Sequence, residues 1–324
     1  MTGHLDIVWA ALAEDQAQQG FVQRRVLPES PHDCFLVESR PSGDLMLRLD
    51  LKDQKRPPQA PIPSTRGMRC GMSVEDSNVQ IELKLVSRVH ETLFRTLVDE
   101  VLELVVGVAQ NNCAGEVLAY VRACMGFWSP EGAALSNEAA AGLYAELHVL
   151  QHSLLTAIDP TEALRHWTGP SGATHDFQFS GGAIEVKSWR GFGAPAPTIS
   201  SELQLSTPPG GILMLHVVSL DQQLEGSGET IAGKVATITA ALPHAADRAQ
   251  FLSLLVEAGW TLASERLRTE RYGVKNEVTF TVKGAFPRLT PDVLPNGIKR
   301  VRYVLETVGL EEYRLESLTL EGLE

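Results

Sequence analysis

His175-Asp176-Phe177-Gln178-Phe179-Ser180-Gly181-Gly182-Ala183-Ile184-Glu185-Val186-Lys187 (HDFQFSGGAIEVK, residues 175–187) decides how this chain is read. Gly181-Gly182 predicts a tight turn of the I′ type with a strand on either side. Counting outward pairs Ser180 with Ala183, Phe179 with Ile184, Gln178 with Glu185, Phe177 with Val186 and Asp176 with Lys187. Paired residues share a face, and faces alternate along each strand. Phe177, Phe179, Ile184 and Val186 then form an apolar face, and Asp176, Gln178, Glu185 and Lys187 a polar one. Asp176 and Glu185 fall on a diagonal, with Cα atoms roughly 7–8 Å apart in an ideal ladder. Two carboxylates so placed can reach one hard cation, and Mg2+ needs few protein oxygens because it keeps several waters. Lys187 stands beside them as a point charge for a water or a phosphate oxygen. The plain alternative is a half-solvated hairpin with a surface Asp–Lys pair.

Two other stretches carry similar lettering and serve as controls. Asp44 with Asp50-x-Lys52 lies along one apparent strand, and six residues of strand span roughly 20 Å, too far for a shared ion. Asp76 with Glu82-x-Lys84 begins in the turn EDSN and continues on a strand whose apolar side is Val79, Ile81, Leu83 and Leu85. Both read as solvent-facing strands. Only the 175–187 stretch folds its charges together.

Upstream, NEAAAGLYAELHVLQHSLL (137–155) predicts a helix with Asn137 as its N-cap and an apolar seam of Leu143, Leu147, Leu150 and Leu154. Glu146 borders that seam, so its carboxylate points toward whatever the helix packs on, unless it is a surface residue. The loop TGPSGAT before His175 has glycines that permit close backbone approach, though a plain turn explains them equally well.

The chain has 324 residues, 44% of them hydrophobic and 21% charged, the composition of a soluble globular protein. No apolar run is long enough to span a membrane, and the N-terminus lacks the basic start of a secretion signal. The four cysteines, Cys34, Cys70, Cys113 and Cys124, form no CxxC pair. Reduced thiols filling a core in a cytoplasmic protein are expected. A formal net charge of −12 argues against nonspecific coating of nucleic acid but leaves room for an enzyme with a local basic groove. Between Trp260 and Tyr303 basic residues outnumber acidic ones; a solvated sheet face is the plain reading.

Alternating strands are expected at 21–27, 34–39, 44–51, 68–74 and 79–86, with a Pro-rich loop at 56–67 and helices at 89–110 and 114–128. SPEGAALS (129–136) reads as a junction. Beyond it, ILMLHVVSL (212–220) is expected to be a strand buried on both faces. Helices are expected at 230–242 and 244–259, and strands at 276–286 and 298–307. The expected organisation is a β-meander plus helices over residues 1–130 and an α/β layer structure over 131–324.

Glu146 on a helix, Asp176 opening a strand and Glu185-Val186-Lys187 on the next strand resemble the PD-(D/E)XK nuclease superfamily. The longer context, Trp167-Thr168-Gly169-Pro170 through HDFQF and AIEVKS to SSELQL, is similar to the PD-(D/E)XK motif proteins found among bacterial restriction and phage-defence genes. FPRLTPDVLPNGIKRVRY is similar to that family's tail. His175 stands where the superfamily's name has Pro. The resemblance implies a restriction-endonuclease-like α/β core, a mixed sheet flanked by helices. It implies Mg2+, or Mn2+ in its place, held by Asp176, Glu185 and Glu146, with Lys187 orienting the attacking water. Glu146 is alternatively a base, and Gln204 in SELQLS a polar residue near the site. The implied activity is metal-dependent phosphodiester hydrolysis of DNA in a defence system, with other subunits of a defence operon as partners.

Three rival readings remain. Gly228 to Lys234 nearly spells a P-loop, but Val235 stands where Ser or Thr would hold Mg2+, so a loop entering a helix is the better reading. His148 and His152 have i, i+4 spacing without a third ligand, which suggests packing. A non-catalytic nucleic-acid-binding or scaffolding subunit fits the acidic net charge, whereas the intact Asp176, Glu185 and Lys187 set favours catalysis.

Overall fold

The computed structural model of the chain describes residues 2–323 apart from 56, 58–64, 66, 129–134, 224–227, 262–263 and 265–267. The expected Pro-rich loop and the junction at 129–136 lie mostly outside the described residues, as do Glu265 and Arg266 of the basic region. The chain divides into two compact units, Met1–Glu131 with His244–Val256, and Gly132–Pro243 with Glu257–Glu324.

In the first unit helix α1 (Thr2–Ala13) precedes five strands: β1 (Gly20–Val26), β2 (Asp33–Arg40), β3 (Leu45–Leu51), β4 (Met68–Glu75) and β5 (Asn78–Leu85). They form one antiparallel sheet in the order β1-β2-β3-β5-β4. Alternation in LMLRLDL and NVQIELKL sends Leu45, Leu47, Leu49, Leu51, Val79, Ile81 and Leu83 inward. Helices α2 (Glu91–Gly107) and α3 (Cys113–Phe127) supply core residues including Phe94, Val98, Val101, Val117 and Val121. Cys34, Cys113 and Cys124 are buried free thiols, and burial pushes Cys34 and Cys124 up to about 12. They fill space, as expected. Both control stretches also behave as expected. Asp44 pairs with Lys84 at 2.9 Å, Lys52 with Asp33 at 2.8 Å, and Asp50 accepts from Gln80 Nε2 at 2.7 Å. Asp76 sits in a turn at φ 55°.

The second unit opens with α4 (Asn137–Val149), which continues as a π-type segment over Leu150–Leu154. Its N-cap is Ser136, one residue before the expected Asn137, because the Ser136 hydroxyl accepts from the Ala139 N–H at 3.1 Å. The leucine seam is buried along its whole length. There follow α5 (Pro160–His166), β6 (Phe177–Gln178), β7 (Gly182–Trp189), β8 (Thr198–Ile199), β9 (Ile212–Gln223), β10 (Glu229–Thr230) and α6 (Ile231–Ala241). Helix α7 (Ala245–Glu257) lies mostly in the first unit, where Arg248 binds Glu100 and Glu103. Strands β11 (Arg271–Thr281), β12 (Tyr303–Val304) and β13 (Arg314–Leu315) complete the second unit.

The sheet order is β10-β11-β9-β7-β6, with β13 also on β11. β7 and β9 are parallel and the remaining pairs antiparallel. This is the mixed-sheet, restriction-endonuclease-like α/β fold. Residues Leu213 to Leu220 of β9 are buried on both faces, as their near-continuous apolar run requires. One face of the sheet meets α4. The other carries Ala183, Leu213, Leu215, Val217, Val278 and Phe280, covered by Ile199, Leu205, Phe286 and Leu305.

Two expectations need correction. IKRVRYVLET forms only the short strand β12, which pairs with the equally short β8. The hairpin register differs as well. Phe177 pairs with Ile184 and Gln178 with Ala183, a slip of two residues from the counted ladder. An I′ turn needs positive φ at both central residues, and neither Gly181 nor Gly182 has it. Gly182 is instead the first residue of β7, packed so tightly that an added Cβ would lie 2.3 Å from the Ile212 carbonyl oxygen. Gly181 donates to the Leu323 carbonyl and accepts from the Ile212 N–H. A slip of two preserves the face of every side chain. The ladder ends at Phe177–Ile184, and counting one pair further would put Asp176 across from Glu185.

Candidate active site

Antiparallel pairing brings the entrance of β6 beside the C-terminal half of β7. The polar face of β7 is therefore not a wet face. Glu185 is 1% exposed, and the Lys187 side chain only 13%. A buried carboxylate needs a partner, and Lys187 Nζ supplies one at 2.5 Å from Glu185 Oε1. The other carboxylate oxygen, Glu185 Oε2, is buried without a hydrogen-bond partner.

Asp176 is oriented by its own neighbourhood. Its Oδ2 accepts the Val186 N–H at 2.7 Å. Its carbonyl accepts from both Thr168 N–H, at 2.8 Å, and Gly169 N–H, at 3.0 Å. Glu146 on α4 accepts the Trp167 indole N–H at 2.9 Å through Oε2. Gly169 lies between the two acids. A Cβ there would stand 2.9 Å from Asp176 Oδ1 and 3.2 Å from Glu146 Oε2. The close-approach reading of the TGPSGAT loop thus holds at Gly169, while Gly172, at φ 76°, serves an ordinary turn.

The electrostatics follow from crowding three carboxylates around one ammonium. Burial, then the Asp176 charge, pushes Glu146 up to about 8, opposed by the Trp167 hydrogen bond and Lys187. Burial raises Asp176 despite Lys187 and the Val186 N–H. Burial and Asp176 raise Glu185 well above the usual carboxylate range. Burial works against the Lys187 charge, but Glu185 and Asp176 outweigh it and hold the ammonium above its ordinary value. Such a site is short of positive charge, the condition in which a cation is welcome.

A pH dependence follows. Glu146 titrates higher in the folded chain than in the unfolded one, so its contribution to stability is full below about pH 4.5 and lost as pH rises through about 8. Glu146→Gln keeps an acceptor for Trp167 and removes that loss. In EDTA its melting temperature is expected to exceed that of the wild type by about 2–4 °C at pH 8.5, with the gap closing by pH 5. A gap independent of pH in thermal melts would show that Glu146 is not held protonated.

A cleft of about 780 Å3 opens at the C-terminal ends of the parallel strands β7 and β9, the usual ligand position in such sheets. Glu146, Asp176 and Lys187 line its floor, and Arg190, Lys275 and Arg302 line it further out. Gln204 also faces it, but its side-chain carbonyl caps a turn by accepting the Ser200 N–H at 2.7 Å. Two of the basic residues counted between Trp260 and Tyr303 thus reach the cleft.

Asp176 and Glu185 meet the chemical requirement for a hard divalent cation. They are two carboxylates on one face, one with a buried, unpartnered oxygen. Asp176, Glu185 and Glu146 are not drawn in as three converging ligands. Among the described residues no group of three His, Cys, Asp or Glu side chains is gathered at metal-binding distance.

A second polar cluster was not anticipated. His216 on β9 and His148 on α4 each bind one oxygen of Glu277 at 3.0 Å, and His216 Nδ1 meets Thr279 Oγ1 at 2.9 Å. These bonds hold the Glu277 carboxyl well below its usual range. They tie α4 to the sheet on the face opposite Glu185. The clue in the sequence is His216 alone inside an apolar strand, a position that demands a partner. The His148 and His152 rings pack against each other in a tilted arrangement with centroids 4.5 Å apart, and His148 also carries the Glu277 bond. The near-P-loop is also structural. Thr230 caps α6, and Lys234, 1% exposed, binds Glu229 and Gln151.

A family model described as "Putative PD-(D/E)XK family member (DUF4420)" matches residues 5–307. Comparison with curated proteins and with solved structures finds no match to the chain. No helix among the described residues is long and apolar enough to cross a membrane.

Proposed function

We infer the function from one premise: the chain belongs to the DUF4420 family of PD-(D/E)XK members. It is a metal-dependent nuclease that hydrolyses DNA, with the cleft at β6 and β7 as its catalytic centre. The setting is a cytoplasmic bacterial restriction or phage-defence system with partner subunits. The observation that carries this reading is the Glu185 carboxylate, buried beside Asp176 with one oxygen on Lys187 and the other unpartnered.

Asp176 and Glu185 would hold Mg2+ or Mn2+, with Glu146 contributing through its own carboxylate or a water. Bound there, the cation supplies Lewis-acid stabilisation of the phosphate charge and a more acidic water. The chain's residues do the rest. Lys187, kept charged by the acids, orients a water toward phosphorus and offsets charge on the phosphate. Glu146 is alternatively the base, taking a proton from that water when its own carboxyl is ionised. The water oxygen bonds to phosphorus, one bridging P–O bond breaks, and a proton passes to the leaving alkoxide. Gln204 orders the Ser200 turn at the cleft wall. Arg190, Lys275 and Arg302 take up flanking phosphates.

Labelled single- and double-stranded DNA, incubated with purified protein, tests this. Cleavage is expected with Mg2+ or Mn2+ and not in EDTA. Cleavage that persists in EDTA would contradict metal dependence. No cleavage under any condition would favour the second reading, a non-catalytic DNA-binding or scaffolding subunit, which the net charge of −12 supports.

A further inference from the structure

Phe192 is 99% exposed, the most exposed large hydrophobic side chain among the described residues. A single exposed apolar residue is ordinary, but its position is not. It lines the cleft that holds Asp176 and Lys187, on the loop that leaves the C-terminal end of β7. Gly191 precedes it and Gly193, at φ 87°, follows it, so the backbone lifts the ring out of the wall. Lys275 Nζ lies 5.8 Å from the ring centroid, within reach of a cation–π contact, and is itself paired with Asp221 at 3.3 Å. A ring with almost all of its surface in water, beside cations at the mouth of a cleft, has the makeup of a nucleobase stacking platform.

We propose that Phe192 stacks on an unpaired base of the bound DNA, so that the cleft selects strands with an unstacked nucleotide beside the scissile phosphate. This rests on the nuclease reading of the same cleft. Lys275 and Arg190 would hold the neighbouring phosphates while the ring holds the base. A base paired inside a duplex cannot offer its face to the ring without being unstacked first. Preference for single-stranded or frayed DNA over blunt duplex follows.

The test is binding, with Ca2+ replacing Mg2+ so that the DNA stays intact. Fluorescence anisotropy with a labelled single strand and with a blunt duplex gives affinities, and a 2-aminopurine-containing single strand reports stacking. The wild type is expected to prefer the single strand and to quench 2-aminopurine. Phe192→Ala is expected to bind the single strand about 5- to 100-fold more weakly, without the quench. Phe192→Trp should keep both properties, and Phe21→Ala, which removes an exposed phenyl ring of the first unit, should match the wild type. Equal binding and quenching by Phe192→Ala, or equal wild-type affinity for single strand and duplex, would overturn the stacking role and leave the nuclease reading intact. Failure of the wild type to bind either DNA would overturn both.

Discussion

Lys187→Ala is expected to lower Mg2+-dependent cleavage by about 10²-fold or more while the chain stays folded. Nζ is the only positive group held against the buried Glu185 carboxylate at hydrogen-bond distance among the described residues. Without it, nothing at that position orients the water or offsets the charge that develops on the phosphate. The fold tolerates the loss because burial and Asp176 already raise Glu185 well above the usual carboxylate range, so without Lys187 the carboxyl takes up a proton rather than remaining as an unpaired buried charge. Lys187→Met, which keeps the apolar stem, separates packing from charge. Single-turnover rates with circular dichroism of the same samples check both statements. A rate within a few-fold of wild type would remove Lys187 from the mechanism.

Asp176→Asn is expected to weaken Mn2+ binding by about tenfold or more and to abolish detectable cleavage. The substitution is isosteric, and its amide carbonyl can still accept the Val186 N–H, so the local geometry should persist. The carboxylate that faces Glu185 and repels Glu146 is lost. The same change should make the metal-free protein more stable, because three crowded acids become two. Calorimetric titration with Mn2+ reads the first effect and melting in EDTA the second. An unchanged Mn2+ affinity would place the cation elsewhere.

Much of this was legible in the sequence, for identifiable reasons. Period-two alternation marked β3, β5 and the two faces of β7, because one face of each strand must be dry. The Leu143–Leu154 seam marked the core side of α4 and placed Glu146 beside it. The polar face of the 175–187 hairpin survived an incorrect register because parity, not exact pairing, decides which way a side chain points. The register itself was not legible. Gly181 and Gly182 are shaped by Ile212 and Leu323, neighbours remote in sequence, and not by turn chemistry. The Glu277 bridge between His148 and His216 was hidden likewise, since it spans three elements. IKRVRYVLET has the lettering of a strand, but among the described residues only the two-residue β8 pairs with it. Phe192 sat unnoticed in a loop because exposure at a cleft mouth is a property of the folded surface alone.

The same distinction governs the site. Residue types and spacing brought Asp176, Glu185 and Lys187 together on one face; only the fold shows that Glu185 is buried there, with one carboxylate oxygen left unpartnered. That oxygen is where a cation has the most to gain. Anomalous diffraction from crystals soaked in Mn2+ is therefore the most direct measurement. The expected result is a peak about 2.1 Å from an oxygen of both Asp176 and Glu185, with Lys187 Nζ drawn away from Glu185 Oε1. A peak at the Glu277 cluster, or none at Asp176 and Glu185 at saturating Mn2+, would contradict it.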